Sequence, residues 1–197
     1  VKKCCQIMGR DEDSLTAAQI LYPLMQCADI FFLKADICQL GVDQRKVNML
    51  ARDYCDAAGR KLKPVILSHH MLYGLKKGQA KMSKSDPDSA IFMEDAAEDV
   101  VRKISGAYCP AAPEDMESSE AKSSEGMSLV EDDLKNPCLD YIQYVLFSQE
   151  DYVFKVAGSD KVYENFEDLK RAFLDGHISE EDLKQSLTDE VNALLEP

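Results

Sequence analysis

The residues best suited to chemistry form a short run of lysines and hydroxyl residues near the middle of the chain. The run comprises Lys81, Met82, Ser83, Lys84 and Ser85. Two ammonium groups flanked by hydroxyls can neutralise and hydrogen-bond a polyphosphate. The surrounding residues 74–92 are rich in Gly, Lys, Ser, Asp and Pro, which predicts a loop. Because a loop that closes on its ligand can act on the transition state, the run indicates phosphate chemistry rather than an inert charged surface.

A second candidate site is a polar face of the helix that we predict over about residues 15–28. Tyr22, Gln26 and Asp29 are spaced i, i+4 and i+7, which places a phenol, an amide and a carboxylate on one helix face. Such a face suits a ligand with polar groups at both ends. Taken alone, the pattern also fits an amphipathic helix kinked at Pro23 whose polar residues are incidental.

Further polar residues follow the predicted strands. Gly41, Asp43 and Gln44 directly precede a helix, where Gly permits close backbone approach and Asp can accept bonds from ribose hydroxyls. Most runs of this bare spacing are turns. His69 and His70 have no Cys or carboxylate at zinc-ligand spacing, so we interpret them as structural or adjacent to a bound adenine and predict no metal site.

The elements that would position these groups alternate between strand and helix. Residues 30–33 and 64–67 are short apolar runs that predict buried strands. The segment between them has apolar residues at helical spacing, and Gly59 fits its C-cap. The order of strand, helix and strand along the chain predicts a βαβ unit with a parallel sheet, and hence an α/β fold.

The rest of the chain divides into an acidic segment and predicted helices. Residues 111–135 hold eight acids and two lysines, a net charge of −6, and their Pro, Ser and Glu content predicts a mobile insertion. From Asn136 onward we predict only helices, with Asn136, Asn165 and Ser179 as N-caps. Another helix is predicted over about 94–105.

Composition excludes several classes of protein. The net charge of −13 argues against a protein that coats DNA or RNA, because such proteins present a basic surface. No apolar run reaches the ~18 residues that span a bilayer, so we expect no membrane association. Seven cysteines without a CxxC pair favour reduced thiols in a cytoplasmic protein.

The run at 81–85 is the signature of class I aminoacyl-tRNA synthetases, and we call it the signature loop. The flanking sequence resembles tyrosyl-tRNA synthetases of the archaeal and eukaryotic type, in the segments 22–29, 40–46, 107–110 and 182–184. The resemblance covers nearly the whole chain outside the acidic segment. It implies the second half of a Rossmann-like catalytic domain with a parallel sheet at 1–110, and an all-α anticodon-binding-type domain at 136–197.

The resemblance also implies an activity and a set of contacts for L-tyrosine. The family activates tyrosine with ATP to tyrosyl-adenylate and transfers it to tRNA(Tyr), with Mg²⁺ assisting. The residue matching Asp29 binds the phenol, and those matching Tyr22, Gln26 and Gln44 hold the ammonium and nearby polar atoms. A buried carboxylate facing the phenol explains the rejection of phenylalanine.

For ATP the resemblance implies contacts from the segments that follow the two predicted strands and from the signature loop. Gly41 and Asp43 match positions that face the adenylate ribose, and the backbone of Met71 and Leu72 matches positions against adenine. The matching signature-loop groups that contact ATP are Lys81, Met82, Ser83 and Lys84. Lys81 and Lys84 would stabilise the leaving pyrophosphate, with Ser83 and Ser85 beside them.

The anticodon-facing residues depart from the family pattern. Asp182 matches a residue that reads the first anticodon base, but it fits a helix-cap partner of Ser179 equally well. The family's stacking aromatic is absent near Ala157 and Gly158, and Ser179 stands where the family has His. The resemblance implies a homodimer or an intramolecular pseudo-dimer, and we predict that this is the catalytic copy of a fused pair.

One family motif is not found, and two other functions stay open. The His-x-Gly-His-type ATP motif does not occur in this sequence, so we expect it upstream of Val1 and expect this stretch alone to be inactive. One alternative is a tryptophanyl-tRNA synthetase, although an indole presents its donor at a different place from the phenol facing Asp29. The other is a non-catalytic RNA-binding or cytokine-like fragment, against which the intact signature loop argues.

Overall fold

The computed structural model describes residues 4, 15–79, 82–83, 85–111 and 135–196. These residues belong to two compact units, Val1–Met71 and Leu72–Pro197. The predicted acidic insertion lies, apart from residues 111 and 135, outside the described residues. The described part of the chain contains no helix long and apolar enough to cross a membrane.

The first unit is a βαβ arrangement preceded by a helix. Its elements, in chain order, are α1 (Ala17–Phe32), β1 (Ile37–Gly41), a 3₁₀ turn (Val42–Gln44), α2 (Arg45–Ala57) and β2 (Val65–His69). Strands β1 and β2 pair in parallel, from Ile37 opposite Val65 to Gly41 opposite His69. The predicted βαβ unit with a parallel sheet is therefore confirmed. Gly59, at φ +63°, directly follows the C-cap of α2, where a left-handed residue ends a helix.

Two details of the predicted strands are wrong. Residues 30–33 are not a strand, because α1 runs through Phe32 and ends at Leu33. A four-residue apolar run cannot by periodicity be told from the end of a helix, and no breaker interrupts this one. The strand is the next segment, β1. The second strand is present as β2, but Val65 and Leu67 are about half exposed at 51% and 50%, so it is not buried as predicted.

The second unit is mainly helical. Its main elements are α3 (Ala97–Ser105), α4 (Pro137–Tyr141) continued by a π turn (Ile142–Leu146), β3 (Phe154–Lys155), β4 (Val162–Tyr163), α5 (Phe166–Leu174) and α6 (Glu180–Leu195). Asn136, Asn165 and Ser179 each accept a backbone hydrogen bond at the start of α4, α5 and α6. The three predicted N-caps are therefore confirmed.

The all-α description of residues 136–197 needs correction. Strands β3 and β4 form an antiparallel hairpin, with Phe154 opposite Tyr163 and Lys155 opposite Val162. Each strand has two residues, too few to give a period-2 signal. The intervening turn contains Gly158 at φ +67°, and Gly158-Ser159-Asp160 is the turn chemistry that would have predicted a hairpin.

Each unit has its own apolar core. In the first unit the core is small, with α1, β1 and α2 contributing Cys27, Ile30, Cys38, Val47 and Ala51. In the second unit a larger core joins α3, the helices after residue 135 and the hairpin, through residues that include Val100, Ile104, Ile142, Phe154, Phe173 and Leu183. Burial of these faces holds α1 and α2 against the sheet and fixes the groups at their ends.

Candidate active site

Several predicted site residues meet at the carboxyl edge of the two-stranded sheet. Gly41 and His69 are the last residues of β1 and β2 and lie opposite each other. In open α/β sheets this edge is where ligands bind. Gly41 is buried, and a side-chain carbon added there would overlap the Met71 sulfur and come within 2.8 Å of Asp43 Oδ1. An alanine at this position would therefore displace the Met71 and Asp43 side chains from this strand end.

A chain of side-chain hydrogen bonds connects α1 to the segment after β1. Gln44 Nε2 donates to Asp43 Oδ2 at 3.0 Å, and Gln26 Nε2 donates to Gln44 Oε1 at 2.9 Å. Because the Asp43 carboxylate can only accept, Gln44 must turn its Nε2 toward Asp43 and its Oε1 toward Gln26. Gln26 must then turn its own Nε2 toward Gln44. Gln26 Oε1 is consequently left as a buried acceptor, and it has no hydrogen-bond partner among the described residues.

Tyr22 and Asp29 lie on the same helix as Gln26, as predicted. The face that α1 buries carries Pro23, Cys27 and Ile30, one residue further along the chain than Tyr22, Gln26 and Asp29. The polar face is thus rotated by about 100° from the apolar one. In the structure Tyr22 is 53% exposed, and Asp29 is also exposed. Both residues are therefore exposed, whereas the Gln26 acceptor on the same helix is buried.

The described part of the signature loop belongs to the second unit. Lys81 and Lys84 lie outside the described residues. Ser83 Oγ and Ser85 Oγ are hydrogen-bonded to each other at 2.9 Å. Met82 is partly buried and packs against the core of the second unit. The loop therefore combines one apolar residue packed on the core with paired hydroxyls.

A set of polar residues that the sequence interpretation did not identify holds the base of this loop. Ser89, which is fully buried, accepts from Ser83 N at 2.9 Å and contacts the Ser83 and Asp86 carbonyls at 3.1 and 2.7 Å. Lys76 Nζ donates to both Asp86 carboxylate oxygens at 2.7 Å. This hydrogen bond from Lys76 lowers the pKa of Asp86. The sequence signals for this set were the opposite charges of Lys76 and Asp86 on either side of the signature loop, and Ser89 after it.

The remaining predicted residues have simpler surroundings. Met71 lies against Gly41 in the first unit, and Leu72 is partly buried against the core of the second. His69 Nδ1 is 2.9 Å from the His70 carbonyl. Among the described residues, no group of three or more His, Cys, Asp or Glu side chains is arranged to hold a metal ion.

Asp182 lies in the first turn of α6 and interacts with the residue that caps it. The Asp182 backbone N–H donates to Ser179 Oγ at 3.0 Å, and Ser179 Oγ donates to Asp182 Oδ2 at 2.7 Å. The Ser179 hydroxyl, as both donor and acceptor, and the Asp182 carboxylate are therefore engaged at the start of α6. This geometry is that of a helix cap.

Comparison with known proteins identifies the family. The family model for class I tRNA synthetases (W and Y) matches residues 3–196. The chain is 52% identical over 203 residues to the cytoplasmic tyrosine–tRNA ligase 1 of Arabidopsis thaliana, covering 100% of this chain and 48% of that protein. The chain spans about half the length of the curated relatives it matches, or less.

Solved structures agree with this assignment. A Leishmania major tyrosyl-tRNA synthetase in complex with tyrosinol is 63% identical with a TM-score of 0.78, over 98% of this chain and 28% of that one. A Pyrococcus horikoshii tyrosyl-tRNA synthetase complexed with L-tyrosine is 33% identical with a TM-score of 0.78, over 100% of this chain and 56% of that one. The chain therefore belongs to the class I tRNA synthetases of the tryptophan and tyrosine group, and within it to the eukaryotic and archaeal tyrosyl branch.

Proposed function

We propose that the chain carries the tyrosine-binding face and the signature loop of a tyrosine–tRNA ligase, which activates L-tyrosine with ATP and charges tRNA(Tyr). The observation that carries this proposal is the hydrogen-bonded chain from Gln26 through Gln44 to Asp43 at the carboxyl edge of the sheet. It offers a buried acceptor and a carboxylate within one connected network. A tyrosyl-adenylate has an ammonium and ribose hydroxyls that such a network can bind.

In this proposal α1 recognises the amino acid. The unpartnered Gln26 Oε1 accepts from the tyrosine ammonium, with Tyr22 and Gln44 completing the polar surroundings. Asp29 accepts a hydrogen bond from the phenol. A site built to bond a substrate hydroxyl rejects the analogue that lacks it by about 10⁴–10⁵-fold, because the bound analogue covers the partner and leaves it unpaired. Phenylalanine is excluded on this basis.

ATP is held by the strand end and by the signature loop. Asp43 accepts from the ribose, Gly41 permits the close approach, and the backbone of Met71 and Leu72 lies against adenine. The tyrosine carboxylate attacks the α-phosphorus while the bond to pyrophosphate breaks. Lys81 and Lys84 stabilise the charge on the departing pyrophosphate, and the Ser89 and Lys76–Asp86 contacts hold the loop base. Mg²⁺ held on the ATP phosphates would add positive charge beside the two lysines.

Calorimetric titration of the full-length protein tests the substrate assignment. L-Tyrosine is expected to bind with a Kd in the micromolar range, and phenylalanine and tryptophan at least about 10²-fold more weakly. Tighter binding of tryptophan would favour a tryptophanyl-tRNA synthetase. Binding of none of the three would favour a non-catalytic RNA-binding or cytokine-like role.

We propose a cytoplasmic location, the one named for the Arabidopsis relative.

Replacing Gly41 tests the crowded strand end. Gly41→Ala would push Met71 and Asp43 away from the sheet edge, because the added carbon overlaps both side chains. We expect KM for ATP to rise about tenfold, the scale of one displaced hydrogen bond, with KM for tyrosine little changed. Gly106→Ala is the matched control, since its added carbon comes no closer than 3.5 Å to any neighbour. Equal effects of the two substitutions would contradict this role of Gly41.

We also propose a working unit of two copies, either a homodimer or two copies fused in one chain, with this one the catalytic copy. The support is that Asp182 is engaged with Ser179 at the start of α6, while the family's aromatic and His are absent. On this account Asp182 stabilises the helix and does not read the anticodon of the tRNA.

Asp182→Ala is expected to lower the free energy of unfolding by about 0.5–1 kcal/mol, through loss of the cap contact and of a favourable helix-dipole interaction. Charging of tRNA(Tyr) should stay within about twofold of wild type. Chemical denaturation and aminoacylation measure the two effects, with Ser179→Ala as a cap-only control. A large loss of charging at unchanged stability would mean that Asp182 reads the anticodon here.

A further inference from the structure

A buried carboxylate of the second unit holds the backbone of a segment that follows β2. Asp140 Oδ2 accepts a hydrogen bond from Tyr73 N at 2.8 Å, although the two residues lie 67 positions apart in the sequence. Asp140 is only 6% exposed. Taking a carboxylate out of water is unfavourable unless hydrogen bonds compensate the loss, so this contact differs from an incidental one at the surface.

The helix that carries Asp140 is itself well fixed. Every residue of α4, Pro137–Tyr141, is buried. Asn136 caps the helix by accepting from Leu139 N at 3.1 Å, and its Nδ2 donates to the Pro110 carbonyl at 2.9 Å. The cap therefore connects α4 to the segment that follows α3. Packing and cap together limit the positions that the Asp140 carboxylate can take.

Tyr73 belongs to a segment that is held on both sides of it. Leu72 packs against the core of the second unit. Leu75 is buried, and its backbone N–H donates to the Ser89 carbonyl at 2.9 Å. Between these two residues, the bond to Asp140 fixes the orientation of the peptide group that joins Leu72 to Tyr73.

The direction of the Leu72 carbonyl follows from this bond. The peptide group between Leu72 and Tyr73 is planar and trans, so its C=O and its N–H point in opposite directions. Since the N–H is directed at the Asp140 carboxylate, the C=O is directed away from it. A carbonyl oxygen held in this way is an acceptor of fixed direction.

We propose that Asp140 is a positioning residue for ATP, because it orients the Leu72 carbonyl to accept a hydrogen bond from the 6-amino group of adenine. This inference rests on the proposed function, in which the backbone of Leu72 lies against the adenine. Asp140 acts through the Leu72–Tyr73 peptide group and not by contact with the nucleotide.

The consequence of this arrangement is a preference among purines. The 6-amino group of adenine can donate to a carbonyl oxygen. A purine without that group cannot donate, and one with an oxygen at the same position would place two acceptors face to face. Asp140 thereby contributes to the selection of ATP through a bond that is made entirely within the protein.

Pyrophosphate exchange by the full-length protein, at varied nucleotide and saturating tyrosine, tests the inference. The two nucleotides are ATP and purine riboside 5′-triphosphate, which lacks the 6-amino group. Asp140→Leu keeps the size of the side chain and removes the acceptor, whereas Asp140→Asn keeps an acceptor. The matched control is Thr188→Val, which removes a different buried hydrogen bond of the same unit, the one from Thr188 Oγ1 to the Lys184 carbonyl.

Wild-type protein is expected to use ATP about tenfold more efficiently than the analogue, the scale of one hydrogen bond. In Asp140→Leu, kcat/KM for ATP should fall about tenfold while kcat/KM for the analogue stays within about twofold, so that the preference for ATP disappears. KM for tyrosine should be unchanged within about twofold. Asp140→Asn should keep most of the preference for ATP, and Thr188→Val should keep all of it.

Equal losses for ATP and the analogue in Asp140→Leu, together with a lower unfolding temperature, would overturn the inference, because Asp140 would then only support the fold. A wild-type preference for ATP below about twofold would also overturn it, even if a variant failed to fold. Exchange by the wild-type protein without this preference leaves the proposed function intact. Absence of exchange with either nucleotide and tyrosine would instead overturn the proposed function and this inference together.

Discussion

Asp29→Ala in the full-length protein is expected to lower kcat/KM for tyrosine activation by about 10²-fold or more, a loss near 3 kcal/mol. The proposed role of Asp29 is to accept the phenol hydrogen bond, and its removal leaves the hydroxyl without a partner. KM for ATP should stay within about twofold, because no ATP group is assigned to this carboxylate. The measurement is tyrosine-dependent pyrophosphate exchange at varied tyrosine and varied ATP.

Two further substitutions make the Asp29 result specific. Asp29→Asn keeps the size of the side chain and should retain part of the activity, because the amide can still accept a hydrogen bond. Asp53→Ala removes an exposed carboxylate from α2 of the same unit and should have no effect. Equal losses for tyrosine and ATP in Asp29→Ala would mean that Asp29 supports the fold instead of binding the phenol.

Lys81→Ala and Lys84→Ala are each expected to slow adenylate formation by about 10²–10³-fold, the usual effect of removing one charge-stabilising donor from a transition state. The Kd for tyrosine should be nearly unchanged, because both lysines act on the departing pyrophosphate. Single-turnover measurement of adenylate formation, alongside equilibrium tyrosine binding, separates the two effects.

The control for this pair is a lysine of the second unit outside the signature loop. Lys161 is exposed in the β3–β4 hairpin. Lys161→Ala should therefore leave the rate of adenylate formation and the Kd for tyrosine at their wild-type values. The double substitution of Lys81 and Lys84 should lose less than the product of the two single losses, because the lysines act on one group. A loss confined to tyrosine affinity would contradict the assignment of either lysine to the pyrophosphate.

The parts of the fold that were predicted correctly are those set by local chemistry. Asn136, Asn165 and Ser179 were identifiable as caps because a cap is a contact between residues three apart in sequence. The apolar periodicity of α2 predicted its extent in the same way. The strand predicted at residues 30–33 was wrong because a four-residue apolar run is too short to show a helical or a strand period. Nothing in its local chemistry indicates whether it ends a helix or forms a strand.

The candidate site was only partly predictable for the same reason. The shared face of Tyr22, Gln26 and Asp29 follows from helix geometry, and all three residues lie on α1. The bond between Gln26 and Gln44 joins residues 18 apart and depends on how α1 packs beside β1. Ser89 was also missed, because its burial and its bond to Ser83 depend on how the intervening loop folds.

The central claim is that this chain carries the tyrosine-activating machinery of a tyrosine–tRNA ligase. Amino-acid-dependent exchange of pyrophosphate into ATP by the full-length protein tests it most directly, because exchange requires binding of the amino acid and formation of the adenylate together. We predict that tyrosine supports exchange and that phenylalanine and tryptophan support it at least about 10³-fold less efficiently. Exchange driven by tryptophan in preference to tyrosine, or no exchange with any amino acid, would contradict the account.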